Sequence, residues 1–144
     1  MRPKKVILCV DDNEQELSVL KFMLKTNGYR VLTATNGQEA IAIFASAPQI
    51  DLVMTDHQMP QMNGSQLVER LKRMAGHVPM ILVGDTPVMS NEIHVADAVV
   101  TRKNCTTTEL LDLIKRMSAR KRGPRKGAQR MVQVGEEREL AAAS

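Results

Sequence analysis

The sequence of 144 residues predicts one doubly wound α/β domain, with a five-stranded parallel sheet and helices on both faces. Two observations predict this fold. Continuous apolar runs such as Val6–Val10 suit strands that are buried on both faces of a sheet. These runs alternate with segments whose apolar residues recur at helical spacing. Such alternation is typical of parallel strands joined by crossover helices.

The predicted elements follow one another through most of the chain. Caps and breakers set their boundaries: Asn13 begins the first helix, Gly28 ends it, and Pro48 ends the second. The predicted strands are Val6–Val10, Arg30–Ala34, 51–55, 79–83 and Ala98–Thr101. The predicted helices are 13–26, 38–46, 65–74, a short segment at 91–96, and 106–120.

The composition excludes several classes of function. The only aromatic residues are Phe22, Phe44 and Tyr29, which argues against a base-stacking surface for RNA or single-stranded DNA. The two cysteines, Cys9 and Cys105, show no zinc-ligand spacing and are expected to be unpaired thiols. Neither a membrane span nor a signal peptide is predicted, so we expect a cytoplasmic protein.

Charge divides the chain into an acidic body and a basic end. Residues 1–114 carry 11 Lys and Arg against 13 Asp and Glu, whereas residues 115–144 carry 9 against 3. We expect a folded domain over 1–118 and a basic, flexible tail over 119–144. The basic run at 120–126 suggests attraction to nucleic acid, but the solvated tail is the favoured interpretation because no helix-turn-helix pattern follows.

Acidic residues follow two of the predicted strands. Asp11 and Asp12 follow the first strand, and Asp56 follows the third. If these strands are neighbours, a separation of about 4.7–4.9 Å brings their carboxylates together. A single Asp in such a place is often a turn or cap residue, but three at the ends of two buried strands fit that role poorly. Carboxylates with a backbone carbonyl suit Mg²⁺, and the absence of clustered His and Cys argues against zinc.

Here the sequence resembles the receiver domain of two-component response regulators, across about residues 4–117. The strongest likeness is the stretch DLVMTDHQMPQMNG at 51–64, which is similar to the phosphorylation-site signature of that family. A second likeness is Val10-Asp11-Asp12 after the first strand. The two motifs at this spacing form a specific signal, whereas either one alone is weak. The resemblance implies a flavodoxin-like sheet in the order 2-1-3-4-5. The fourth helix is expected to be shortened, because about one helical turn is missing between Gly84 and Ala96 compared with the family pattern.

The resemblance also implies roles for individual residues. Asp56 matches the phosphoacceptor. Asp12 matches the residue that binds Mg²⁺ directly, and Asp11 matches its partner, which usually acts through metal-bound water. The backbone carbonyl of Gln58 matches the third protein ligand of the metal.

Two adjacent basic residues could match the phosphate-binding lysine of the family. Counting back from Glu109 favours Lys103, whereas counting forward from Asp97 favours Arg102. We place Lys103 first. The remaining alternative is that the pair is only a solvated basic end of a strand.

The sequence departs from the family pattern after the fourth strand. The family normally has Thr or Ser there, but this chain has Gly84 followed by Asp85, and Thr86 comes only two residues later. Asp85 is expected to add negative charge that opposes phosphorylation. Val99 and Val100 stand where the family often has an aromatic switch residue. We therefore expect an acceptor site without the usual switch.

Three functions are compatible with these features. The first is a single-domain response regulator, not a classical enzyme, that accepts a phosphoryl group on Asp56 with Mg²⁺. Its donor would be a histidine kinase or histidine phosphotransfer protein, and it would signal through protein–protein contacts with an unknown downstream protein. The alternative is a pseudo-receiver interaction module that does not depend on phosphorylation. A Mg²⁺-dependent phosphatase is disfavoured because Asp11 and Asp12 are adjacent rather than separated by one residue.

Overall fold

The computed structural model describes residues 4–85, residues 95–119 and a strand at Val132–Val134. The strands are β1 (Val6–Val10), β2 (Arg30–Ala34), β3 (Leu52–Asp56), β4 (Met80–Gly84), β5 (Ala98–Thr101) and β6 (Val132–Val134). The helices are α1 (Glu14–Thr26), α2 (Gly37–Ser46), α3 (Gly64–Met74) and α4 (Thr107–Ser118). The predicted strand and helix boundaries agree with these to within a few residues.

The strands form one parallel sheet in the order β2-β1-β3-β4-β5-β6. The predicted order of the first five strands is confirmed. The sixth strand lies in the segment that the charge pattern predicts to be a tail, and it pairs in parallel with β5. The basic run at 120–126, Thr86 and residues 91–94 of the predicted short helix lie outside the described residues.

Each face of the sheet carries its own hydrophobic core. On one face, alternate strand residues such as Leu8 and Leu82 pack with α2 and α3, where Leu67 and Leu71 are fully buried. On the other face, residues such as Ile7 and Met54 pack with α1 and α4. Successive residues of a strand point to opposite faces, so these buried apolar runs supply both cores at once. The sheet is thereby a rigid support for the side chains at its carboxyl edge.

Short polar contacts fix where three helices begin. The Asn13 side chain accepts hydrogen bonds from the backbone amides of Gln15 and Glu16, at 3.0 and 3.1 Å, and so caps α1 as predicted. Capping boxes begin α3 at Asn63 and α4 at Thr106. The starts of α1 and α3 directly follow Asp12 and the loop after Asp56, so these caps also help to position the site.

Candidate functional site

The sheet brings the three predicted carboxylates together. β1 and β3 are neighbours, and Val10 lies opposite Thr55 in their register, so Asp11 and Asp56 emerge side by side. Asp11, Asp12 and Asp56 each have a carboxylate oxygen within 4.8 Å of the others. Asp11 is buried, Asp56 is half-buried, and Asp12 is exposed. The cluster therefore has a buried base and an open side toward solvent.

Backbone contacts hold the buried member of the cluster in place. The Asp11 amide donates to the Ala34 carbonyl of β2 at 3.1 Å. Its carboxylate oxygen Oδ1 accepts from the Asn13 amide at 2.9 Å. The turn between β1 and α1 therefore fixes this carboxylate before any ligand binds.

A guanidinium group contacts two members of the acidic cluster. Arg102 begins a 3₁₀ turn at the end of β5. Its Nη2 atom lies 3.0 Å from Asp56, 3.3 Å from Glu16 and 3.7 Å from Asp11, and its Nη1 atom pairs with Asp85. One cation thus contacts four carboxylates that come from four different segments of the chain.

The structure distinguishes the two candidate cations. Arg102, the second choice of the sequence prediction, is the one that contacts Asp56. Lys103 is exposed, and no ion pair joins it to Asp56 within the described part of the chain. A phosphate-binding role for Lys103 stays a prediction.

Burial and neighbouring charges perturb the ionisation of the site. The pKa of Asp11 is raised to about 6, chiefly because burial disfavours the charged carboxylate, although the Asn13 amide opposes this shift. Burial also raises the pKa of Asp56, while the hydrogen bond and charge of Arg102 oppose that rise. Burial alone would lower the pKa of Arg102, but its hydrogen bonds to Asp56 and Asp85 raise it. Arg102 therefore stays charged and favours the anionic form of Asp56.

The loop after Asp56 is tied closely to the sheet. The His57 amide donates to the Val83 carbonyl at 2.7 Å, and the Gly64 amide donates to the His57 carbonyl at 2.8 Å. Gln61 has a φ of 72°, in the left-handed region that non-glycine residues rarely adopt. Gln58, whose backbone carbonyl is the predicted third ligand, lies in this loop with an exposed side chain.

The sequence prediction missed one member of the site. Glu16 lies in the first turn of α1, and only its position shortly after Asp11 and Asp12 pointed to the site. Asp85 also lies at the site, where its carboxylate pairs with Arg102, and its predicted opposition to phosphorylation stays a prediction. A cavity of about 470 Å³ opens beside these residues, and its apolar wall includes Val19, Leu20 and Met54.

The donor atoms of the cluster suit Mg²⁺. Three carboxylates offer hard oxygen ligands close together, and the buried Asp11 carboxylate has a raised pKa that a divalent cation would lower. The exposed side at Asp12 leaves room for the waters that Mg²⁺ retains. The residues present therefore fit such an ion.

Comparison with known proteins identifies the family. Residues 7–115 match the response regulator receiver domain family. The chain belongs to that family. Receiver domains are regulatory modules of two-component systems, so the recognition drawn from the phosphorylation-site motif is confirmed.

Individual relatives share parts of this receiver domain. The two-component response regulator PprB of Pseudomonas aeruginosa is 42% identical over 71 residues, which are 49% of this chain and 26% of PprB. This chain spans less than two thirds of the length of the curated relatives that it matches. A CheY-like receiver domain protein of Methanospirillum hungatei is similar in structure, with a TM-score of 0.74 and 28% identity over 81% of this chain and 94% of that one.

A solved relative contains a metal and a phosphoryl mimic. The response regulator TrrA of Thermotoga maritima, in complex with Mg²⁺ and BeF, has a TM-score of 0.72 and 30% identity over 78% of this chain and 98% of that one. Receiver domains generally bind Mg²⁺ at an acidic pocket, and in this chain Asp11, Asp12 and Asp56 form an acidic cluster. None of the helices in the described residues is both long and apolar enough to cross a membrane.

Proposed function

We propose that this receiver domain accepts a phosphoryl group on Asp56, with Mg²⁺ bound by Asp11, Asp12, Asp56 and the Gln58 carbonyl. The observation that carries the proposal is the convergence of three carboxylate oxygens within 4.8 Å at the carboxyl edge of the sheet. The phosphoryl donor of this domain is a histidine kinase or a histidine phosphotransfer protein in the cytoplasm. The domain passes on the signal through contact with another protein.

The residues of this chain have separate parts in the proposed reaction. Asp56 supplies the attacking carboxylate oxygen, and a donor would approach it from the exposed side of the cluster at Asp12. Arg102 keeps Asp56 anionic and offers a guanidinium to the phosphoryl oxygens. Asp11 and Asp12 would hold Mg²⁺, which when bound neutralises charge on the transferring group.

Incubation with acetyl phosphate and Mg²⁺, followed by intact-mass measurement, tests the proposal. We expect a gain of one phosphoryl group that Asp56→Asn abolishes. Asp112→Asn is the matched control, because Asp112 is an exposed carboxylate on α4 that pairs only with Arg116 at 3.2 Å among the described residues. A protein that binds Mg²⁺ but gains no mass would contradict the proposal and support an interaction module independent of phosphorylation.

A further inference from the structure

The register of β4 and β5 places a negative and a positive side chain next to each other beside the acceptor. Gly84 lies opposite Thr101 in this strand pair. Asp85 and Arg102 are the next residue of each strand segment, so the sheet itself brings them together. The Arg102 Nη1 atom hydrogen-bonds to the Asp85 carboxylate, while Nη2 lies 3.0 Å from Asp56. One guanidinium therefore bridges the ends of β3 and β4.

The planar shape of the guanidinium makes this bridge directional. The two terminal nitrogens of arginine have a fixed angle between them, so a contact that fixes one nitrogen also restricts where the other points. Asp85 holds Nη1 from the solvent side, with a side chain that is 59% exposed, and Nη2 then faces the nearly buried Asp56 carboxylate. A lysine ammonium would not link the direction of one contact to that of the other in this way, because its three donors are on a single nitrogen that rotates freely.

Two other carboxylates near Arg102 attract its guanidinium toward α1. Glu16 and Asp11 lie 3.3 and 3.7 Å from Nη2, on the α1 side of the site. Without the contact to Asp85, the guanidinium would be free to turn toward those two carboxylates and away from the phosphoryl position. Among the described residues, Asp85 supplies the ion pair that anchors Nη1 on the β4 side.

We propose that Asp85 is a positioning residue for phosphoryl transfer, which holds the Arg102 guanidinium so that Nη2 meets the phosphoryl group at Asp56. This inference rests on the proposed function. In the transfer from acetyl phosphate, a carboxylate oxygen of Asp56 forms a bond to phosphorus as the bond from phosphorus to the acetate oxygen breaks. Acetate leaves with the electron pair of that bond, and no net proton transfer is needed. Asp85 takes no part in these bonds and acts only through Arg102.

The direction in which Asp85→Ala changes the rate of phosphorylation separates a positioning role from repulsion of the phosphoryl group. If Asp85 positions Arg102, Asp85→Ala lowers the rate constant for phosphorylation at saturating acetyl phosphate by about tenfold, which is less than the roughly hundredfold loss that a misplacement of 1 Å can cause. If Asp85 instead repels the incoming phosphoryl group, the same substitution makes phosphorylation faster. Asp85→Glu, which keeps a carboxylate, should recover most of the wild-type rate. Asp112→Ala serves as the control for removal of an exposed carboxylate.

A double-substitution cycle tests whether Asp85 acts through Arg102. Arg102→Ala should lower the rate constant by about a hundredfold, as removal of a charged hydrogen-bond donor from a transition state does. In that background, Asp85→Ala should have no further effect, because its target is absent. Equal effects of Asp85→Ala in both backgrounds would overturn the proposal.

A measurement on the protein without Mg²⁺ or phosphoryl donor gives an independent readout. Nitrogen-15 spectra should show distinct Nη1 and Nη2 signals for Arg102, because its contacts hinder rotation of the group. These signals should merge in Asp85→Ala but stay distinct in Asp85→Glu. Identical spectra for wild type and Asp85→Ala would contradict the positioning role.

The outcomes test the positioning role of Asp85 separately from the proposed phosphorylation of Asp56, on which it rests. A wild-type protein that takes no phosphoryl group contradicts the proposed function and the inference together. A wild-type protein that is phosphorylated, with Asp85→Ala equally fast or faster, contradicts the inference alone. Unfolding midpoints of the variants, measured with urea, check that each is folded.

Discussion

The Gly64 amide donates to the His57 carbonyl across 2.8 Å, and this bond holds the first turn of α3 against the end of β3. The approach leaves no room for a side chain at Gly64. A Cβ atom there would meet the Asp56 carbonyl oxygen, and it would lie 2.6 Å from Leu82 Cδ1 and 2.8 Å from the His57 Cα atom. Glycine is therefore needed at this position for packing.

Gly64→Ala should destabilise the protein. Two of the atoms in its way belong to the backbone and cannot turn aside, so we expect a loss of ~1–3 kcal/mol in the free energy of unfolding. Urea denaturation measures this loss. Gly76→Ala is the control, because its Cβ would meet only the Lys72 carbonyl oxygen, at 3.3 Å. An effect of Gly64→Ala no larger than that of Gly76→Ala would contradict the packing argument.

Mg²⁺ binding should depend on pH in the mildly acidic range. The Asp11 carboxyl has a pKa raised to about 6, so below that pH a proton occupies a ligand of the metal. We expect the affinity for Mg²⁺ to fall as the pH drops from 7 to 5, by at most about tenfold per unit for one competing proton. Calorimetric titrations in buffers of different ionisation enthalpy would measure the proton release. Affinity that stays constant between pH 5 and 7 would rule out this competition.

Removing the buried charge should stabilise the metal-free protein. The pKa of Asp11 is about 6 in the folded state against an ordinary 3.8, so folding favours its protonated form. The stability that Asp11 contributes through its protonated form is fully present below pH 3.8 and is lost as the pH rises through about 6. At pH 7, Asp11→Asn should therefore raise the free energy of unfolding. We expect a gain of only ~1 kcal/mol, because the amide also loses the charge pairing with Arg102, which offsets part of the benefit.

Thermal or urea unfolding with and without Mg²⁺ checks that expectation. Excess Mg²⁺ should stabilise the wild-type protein and do little for Asp11→Asn. A variant that is less stable than the wild type in the absence of metal would show that the pairing of Asp11 with Arg102 outweighs its burial.

The two cations at the end of β5 can be separated by substitution. Arg102→Ala and Lys103→Ala remove the same charge from adjacent positions, but only Arg102 contacts Asp56 in the described structure. We expect the larger loss of beryllofluoride affinity, about tenfold or more, for Arg102→Ala, in line with a lost charge-assisted hydrogen bond. Fluorescence or calorimetric titration with beryllofluoride and Mg²⁺ measures both. A larger loss for Lys103→Ala would restore Lys103 to the phosphate-binding role.

The sequence was sufficient to predict the sheet because its signals are local. Val6–Val10 is apolar throughout and only five residues long, as is typical of a strand buried on both faces of a parallel sheet. The same reasoning predicts the cluster of Asp11, Asp12 and Asp56. Parallel strands end at one edge of the sheet, and β1 pairs directly with β3.

Two features could not be predicted because they depend on contacts distant in sequence. Arg102 and Lys103 carry the same charge, and the choice between them depends on how the 3₁₀ turn after β5 directs each side chain. Val132–Val134 is a strand of three residues in a polar region, and its pairing with β5 defines it more than its own pattern does.

That sixth strand has a consequence for shortened forms of the protein. β6 covers the outer side of β5, whose backbone N–H and C=O groups would otherwise form an open edge of the sheet. An open edge is a template for strand addition from another molecule. A protein that ends after α4 would keep both hydrophobic cores and the acidic cluster, yet it would present that template. Loss of the C-terminal segment would therefore move this edge of the sheet from the three-residue β6 to the four-residue β5, where a longer template is open to strand addition.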